Sequence, residues 1–247
     1  MTYHQGKFVW FEIETRDIQQ AQSFYGEVFG WKTRTQGAGE TRYEMIEVAG
    51  TTIGGYRKLR TRSDPYWASF ISVPDIDEAI VRVKGAGGRH IGEVLDTPGV
   101  GRAVEIIDTV GTKVSLISRT GGDEPERTPS PGAFFWVELV TPLPDRAVEF
   151  YTTVFGYNDK PMQMENSGTY HALQIGATGR AGILYKDASP QWLPYVHVND
   201  TDQALARAVR MGAKELMPAT DIPKIGRYAV IADPEGAALA IMKPMPM

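Results

Sequence analysis

With 247 residues, 42% hydrophobic and 23% charged, the chain has the composition of an ordinary globular protein and the length of two domains. Its formal net charge is -4, with 26 basic residues scattered among 30 acidic ones and no basic tract, which argues against nucleic acid as a partner. The absence of cysteine excludes disulfides, thiolate nucleophiles and cysteine-based zinc or iron-sulfur sites. Met1 to Lys7 is polar and no apolar run is long enough to span a bilayer, so a cytoplasmic chain without a membrane partner is expected.

In chain order, Phe8 to Glu14 is rich in aromatic and β-branched residues and reads as a strand. Asp17, with Gln20 three positions on, forms an N-cap and capping box. Ile18, Ala21, Phe24, Tyr25, Val28 and Phe29 then recur at helical spacing until Gly30 stops the helix. Tyr43 to Val48 and Thr52 to Arg57 form a hairpin around an Ala-Gly turn. A second block follows: a strand at Trp67 to Val73, a helix from about Asp75 to Lys84, a short strand near His90 to Val94, and a hairpin of Ala103 to Ile107 with Lys113 to Ile117. Its turn, Asp108 to Gly111, has the Asp and Gly that a type I turn favours, so that motif is read as structural.

The whole order then repeats. Phe8, Trp10, Glu12, Tyr25 and Gly30 recur 126 positions later as Phe134, Trp136, Glu138, Tyr151 and Gly156. Trp67, Asp75, Arg102, Asp108 and Gly111 recur at an offset of 125 as Trp192, Asp200, Arg227, Asp233 and Gly236. Two like domains are expected, 1–119 and 133–247, joined by a Gly-, Pro- and Glu-rich linker over 120–132.

The opening Phe-Val-Trp-Phe-Glu-Ile-Glu-Thr, the Phe-Tyr-x-x-Val-Phe-Gly helix end, and Gly226 to Ala240 with its Asp-Pro-Glu-Gly turn together resemble the vicinal oxygen chelate superfamily. Glyoxalase I, extradiol dioxygenases and bleomycin-resistance proteins belong to it, and the resemblance is closest to its two-domain glyoxalase-like members. It implies an α+β fold of tandem domains, in which four βαβββ modules form two cupped antiparallel sheets with helices outside and a cavity within each.

In the catalytic branches of that superfamily, His, Gln or Glu from four strands hold a divalent metal. Here the corresponding places fall on Trp10, Gly54 or Gly55, Ala68 and Ser115, and on Trp136, Ala181 or Gly182, Leu193 and Ala240. None is His, Asp or Glu, whereas a catalytic zinc needs about three protein ligands. An alignment slip would bring in Glu12 or Glu138 alone. No metal and no cofactor are expected.

Strand alternation predicts what lines the cavities instead. Trp10, Glu12 and Glu14 share a face with Phe70, Ser72, Lys113 and Ser115; Trp136 and Glu138 share one with Leu193, Tyr195, His197, Ala238 and Ala240. Each cup thereby pairs an indole with an acid, the usual make-up of a small-molecule site. The ligand-binding residues expected are Trp10, Glu12, Phe70, Ser72 and Ser115 in one cup and Trp136, Glu138, Tyr195 and His197 in the other. Arg102 and Arg227 are candidate donors to the acids. His4 and His90 lie in connections, and His171 sits on a strand of unassigned facing.

Three functions follow. The leading one is a metal-independent binder of a small, partly aromatic organic molecule, serving sequestration, resistance or secondary metabolism, as a monomer or homodimer. The second is a glyoxalase-like lyase, isomerase or hydrolase that uses Glu138 and His197 as acid and base or a displaced metal site. In the third, the indoles fill the cups and the protein serves association only.

Overall fold

The computed structural model describes residues 1–39, 42–59, 64–164 and 168–245. The first module comprises β1 (Phe8–Thr15), α1 (Ile18–Phe29), β2 (Lys32–Gln36), β3 (Tyr43–Val48) and β4 (Thr51–Lys58). The second comprises β5 (Tyr66–Ser72), α2 (Ile76–Gly85), β6 (Arg89–Thr97), β7 (Gly101–Ile107) and β8 (Lys113–Arg119). The second half repeats both: β9 (Phe134–Thr141), α3 (Pro144–Phe155), β10 (Asn158–Met164), β11 (Gly168–Ile175) and β12 (Thr178–Tyr185), then β13 (Gln191–His197), α4 (Thr201–Arg210), β14 (Lys214–Ile222), β15 (Gly226–Ala232) and β16 (Ala238–Pro244). Among the described residues no helix is long and apolar enough to cross a membrane.

Local chemistry explains the helices. Asp17 Oδ1 accepts from the backbone N–H of Gln19 and of Gln20, each at 3.0 Å, and Gly30 closes α1 in the left-handed region at φ 73°. Asp75 and Asp200 cap α2 and α4 in the same way. The buried stripe Ala21, Phe24, Tyr25 and Val28 is the predicted apolar face.

The strands form two curled eight-stranded sheets, ordered β2-β3-β4-β1-β5-β8-β7-β6 and β10-β11-β12-β9-β13-β16-β15-β14. These sheets are mixed rather than wholly antiparallel. Within each module the last strand runs parallel to the first, as in Glu12 beside Gly55 and Glu138 beside Gly182. The cause is the helical crossover, after which a three-strand meander emerges in the direction of the first strand.

Two compact units cut across the sequence halves. One comprises Met1–Trp10, Ala68–Glu126 and Trp136–Trp192; the other comprises Phe11–Trp67, Arg127–Phe135 and Leu193–Met247. Each unit therefore joins a module from one half to a module from the other. Inside the first, Trp192 Nε1 donates to Tyr151 Oη at 2.9 Å, which donates to Asp108 Oδ2 at 2.9 Å. Inside the second, Trp67 Nε1 donates to Tyr25 Oη at 3.1 Å, which donates to Asp233 Oδ2 at 2.8 Å. The other oxygen of each aspartate accepts two backbone N–H groups of its own turn: Val110 and Thr112 for Asp108, Glu235 and Ala237 for Asp233. The Asp-x-x-Gly turn is structural, as its composition predicts, and it also anchors a tyrosine from the opposite half. Burial pushes both aspartates above the usual carboxylate range and both tyrosines well above the usual phenol range.

Candidate aromatic-acid sites

Within the second unit, Glu12 is the centre of a buried polar cluster and is 4% exposed. Tyr43 Oη donates to its Oε1 at 2.5 Å, in the range of a hydroxyl bonded to an ionised carboxylate. Arg57 Nη2 donates to the same oxygen at 3.2 Å, and Arg57 Nε lies 3.0 Å from Oε2 and 3.8 Å from Glu14 Oε1. Burial works against the charge on Arg57, but the Glu12 and Glu14 carboxylates outweigh it and raise its pKa above the usual value. Glu12 and Glu14 thus share a face, as alternation requires.

The geometry depends on a glycine. Tyr43 lies diagonally across β3 and β4 from Gly55, and a Cβ on Gly55 would stand 1.9 Å from its hydroxyl. Only a residue without a side chain lets the phenol cross that strand to reach Glu12. The first unit holds the same device: a Cβ on Gly182 would stand 2.0 Å from Tyr170 Oη, which donates to Glu138 Oε1 at 2.8 Å. Here the phenol also accepts from Trp136 Nε1 at 2.9 Å, which fixes the indole. Burial, then the Glu138 carboxylate, raises the Tyr170 pKa well above the usual phenol range, so it remains a proton donor. Glu138, Trp136 and Tyr170 are all half-buried.

Register shows where the two clusters differ. Arg57 stands opposite Glu14; the matching pair in the other cluster is Leu184 opposite Val140. In the first half the register sets a cation against a strand acid; in the second it sets Leu184 against Val140, and Glu138 accepts from the phenol that holds the Trp136 indole.

The other predicted residues group differently. In the first unit, Phe70 lies beside Ser115 in register, the Arg119 guanidinium covers the Trp10 ring at 5.3 Å, and Ser72 Oγ donates to Asp123 Oδ2 at 2.5 Å. In the second unit, Tyr195 is buried beside Tyr228 and Phe135, with ring centroids 6.3 Å from each. The His197 ring lies 5.9 Å from Phe135 and its Nδ1 is 3.1 Å from the Pro129 carbonyl. Because a carbonyl can only accept, Nδ1 carries the proton. His171 is buried, with Nδ1 2.9 Å from Asp159 Oδ2.

Arg102 and Arg227 do not serve the acids. They pair with Asp77 and Asp202, at 2.7 Å each, on the helices 25 positions earlier. The donors that act instead are Tyr43, Arg57 and Tyr170; the two tyrosines were signalled only by glycines inside strands, which mark close approach of another group.

The model for the bleomycin resistance protein-like N-terminal region matches residues 7–37, and that for the glyoxalase-like domain matches residues 135–242. The Mn(II)-bound glyoxalase of Novosphingobium aromaticivorans superposes with a TM-score of 0.67 over 98% of this chain and 82% of its own, at 16% identity. The chain belongs to the vicinal oxygen chelate superfamily. Among superfamily relatives, CFP32 of Mycobacterium tuberculosis, a protein provisionally named a glyoxylase, is 29% identical over 99% of this chain and 97% of its own length. The anthracycline biosynthesis protein DnrV of Streptomyces peucetius is 26% identical over 96% and 93%.

Metal-bearing superfamily members raise the question of whether this chain's donors fit a divalent ion. At the glycine places the room for a ligand side chain is taken by the Tyr43 and Tyr170 hydroxyls. Ala240, one of the expected ligand places, offers only a methyl and stands in register with Tyr195. Among the described residues no three or more of His, Asp and Glu are grouped to hold an ion. The donor set does not fit a metal at the superfamily position.

Proposed function

We propose that this chain binds a small, partly aromatic organic molecule at its indole-acid cluster, without a metal ion. The reading is carried by one observation: where a metal ligand would stand, both halves have a glycine that admits a tyrosine hydroxyl bonded to a strand glutamate. Trp136 offers a flat apolar wall held in place by Tyr170, and Glu138 beside it provides an acceptor for a hydroxyl or amine. A relative named for anthracycline biosynthesis accords with an accessory or sequestering role in secondary metabolism.

Titration of tryptophan fluorescence with a hydroxylated anthraquinone tests this. Saturable quenching that survives a chelator and weakens at least about tenfold, or ~1.4 kcal/mol, in Trp136→Phe and in Glu138→Gln is expected. Quenching that disappears with chelator, or is identical in both variants, would contradict the proposal.

A further inference from the structure

The second unit contains a cavity of about 480 Å³ between the end of α1 and the start of α4. Its wall includes Phe29, Pro131, His197, Asn199, Gln203 and Arg207. No strand acid or indole of the sites above takes part in it. The volume lies within the usual range for a small-molecule site.

The internal repeat shows why the cavity is open. Three of its wall residues, Phe29, Pro131 and Gly132, correspond to Phe155, Gln5 and Gly6 in the first unit, where the place is furnished differently. There Gln5 extends its carboxamide to the end of α3, and Nε2 donates to the Phe155 carbonyl at 3.0 Å. Next to it, the Tyr157 hydroxyl donates to the Gly6 carbonyl. In the second unit the counterpart of that bond is present, since Trp31 Nε1 donates to the Gly132 carbonyl at 2.7 Å. The counterpart of Gln5, however, is Pro131, which has no side-chain donor. The carbonyl matching Phe155 O is that of Phe29. It belongs to the last turn of α1, whose carbonyls have no partner further along their own helix.

We infer that this cavity binds a compact primary carboxamide, the chemical group that the protein itself supplies at the matching place. The ligand's N–H donates to the Phe29 carbonyl as Gln5 does to Phe155. Its oxygen meets the donors of the wall, the Asn199 and Gln203 amides and the Arg207 guanidinium, which also reaches the Val28 carbonyl at 3.4 Å. Val28, Val198 and the Pro131 ring provide apolar surface for the rest of the molecule.

Nicotinamide and nicotinic acid are suitable probes, because they share a ring and differ in the amide N–H. In ¹H–¹⁵N spectra of the full chain, nicotinamide should shift the Trp31 indole and Gly132 amide signals saturably, and nicotinic acid should bind at least about tenfold more weakly. Pro131→Gln should reinstate the internal carboxamide and weaken nicotinamide at least about tenfold, whereas Pro131→Ala, which adds no donor, should stay within about twofold of wild type. No shift with nicotinamide, equal binding of the acid, undiminished binding in Pro131→Gln, or an equal loss in Pro131→Ala would each overturn the inference. The amide-against-acid comparison on the wild-type chain decides it even if Pro131→Gln does not fold.

Discussion

Glu12 and Glu138 are repeats of one residue on one strand, each reached by a tyrosine over a glycine, yet their surroundings differ. Glu12 is buried with Arg57, Glu14 and Tyr43, a set in which two carboxylates share one guanidinium. Glu138 is half-buried next to an indole, and Leu184 and Val140 take the places of the arginine and the second acid. The duplicated strand acid thus lies in a buried ionic cluster in one copy and beside an indole in the other, the place where we propose recognition.

The largest test of this contrast is Arg57→Leu, which copies the Leu184 arrangement into the first half. Two carboxylates then lose their cation, one of them buried, and stability should fall by about 3 kcal/mol in urea unfolding. Adding Glu12→Gln should recover part of the loss. A cost below about 1 kcal/mol would mean that the pair is screened as at an open surface.

Gly55→Ala and Gly182→Ala come next. Each Cβ would displace a tyrosine hydroxyl from a glutamate, and each variant should lose about 2 kcal/mol by thermal unfolding. Gly182→Ala should also change tryptophan emission, because Tyr170 holds the Trp136 indole.

The smallest expected effect concerns pH. Burial raises the carboxyl pKa of Asp108 and Asp233 in the folded state, so folding favours their protonated forms. That contribution is complete below the ordinary aspartate value and is lost as pH rises through the raised one. Above the ordinary aspartate value, Asp108→Asn should flatten the part of the stability profile that declines with pH, read as the urea midpoint at each pH. An unchanged slope would show that the turn N–H groups and Tyr151 offset burial entirely.

Much of the fold could be read from the residues. The repeat, the Asp caps and the Gly30 stop rest on local chemistry, and they reappear in the structure. Lys32–Gln36 could not be read as a strand, because all five residues of β2 are exposed and show no alternation of character. The pairing of modules from opposite halves was equally hidden, since it depends on Tyr25 reaching Asp233 and Tyr151 reaching Asp108, far apart in sequence. At the sites, alternation placed Glu12 with Glu14 and Trp136 with Glu138. It could not choose among arginines: Arg102 and Arg227 have helix aspartates within reach, and Arg57 becomes a partner only through the parallel register of β4 with β1.

The central claim is that acid, indole and phenol take over recognition where relatives in this superfamily place a metal. Elemental analysis of the full chain, purified without chelator and dialysed, tests it most directly. The account predicts manganese, iron, nickel and zinc each far below one per chain; one tightly held equivalent of any of them per chain or per half would contradict it.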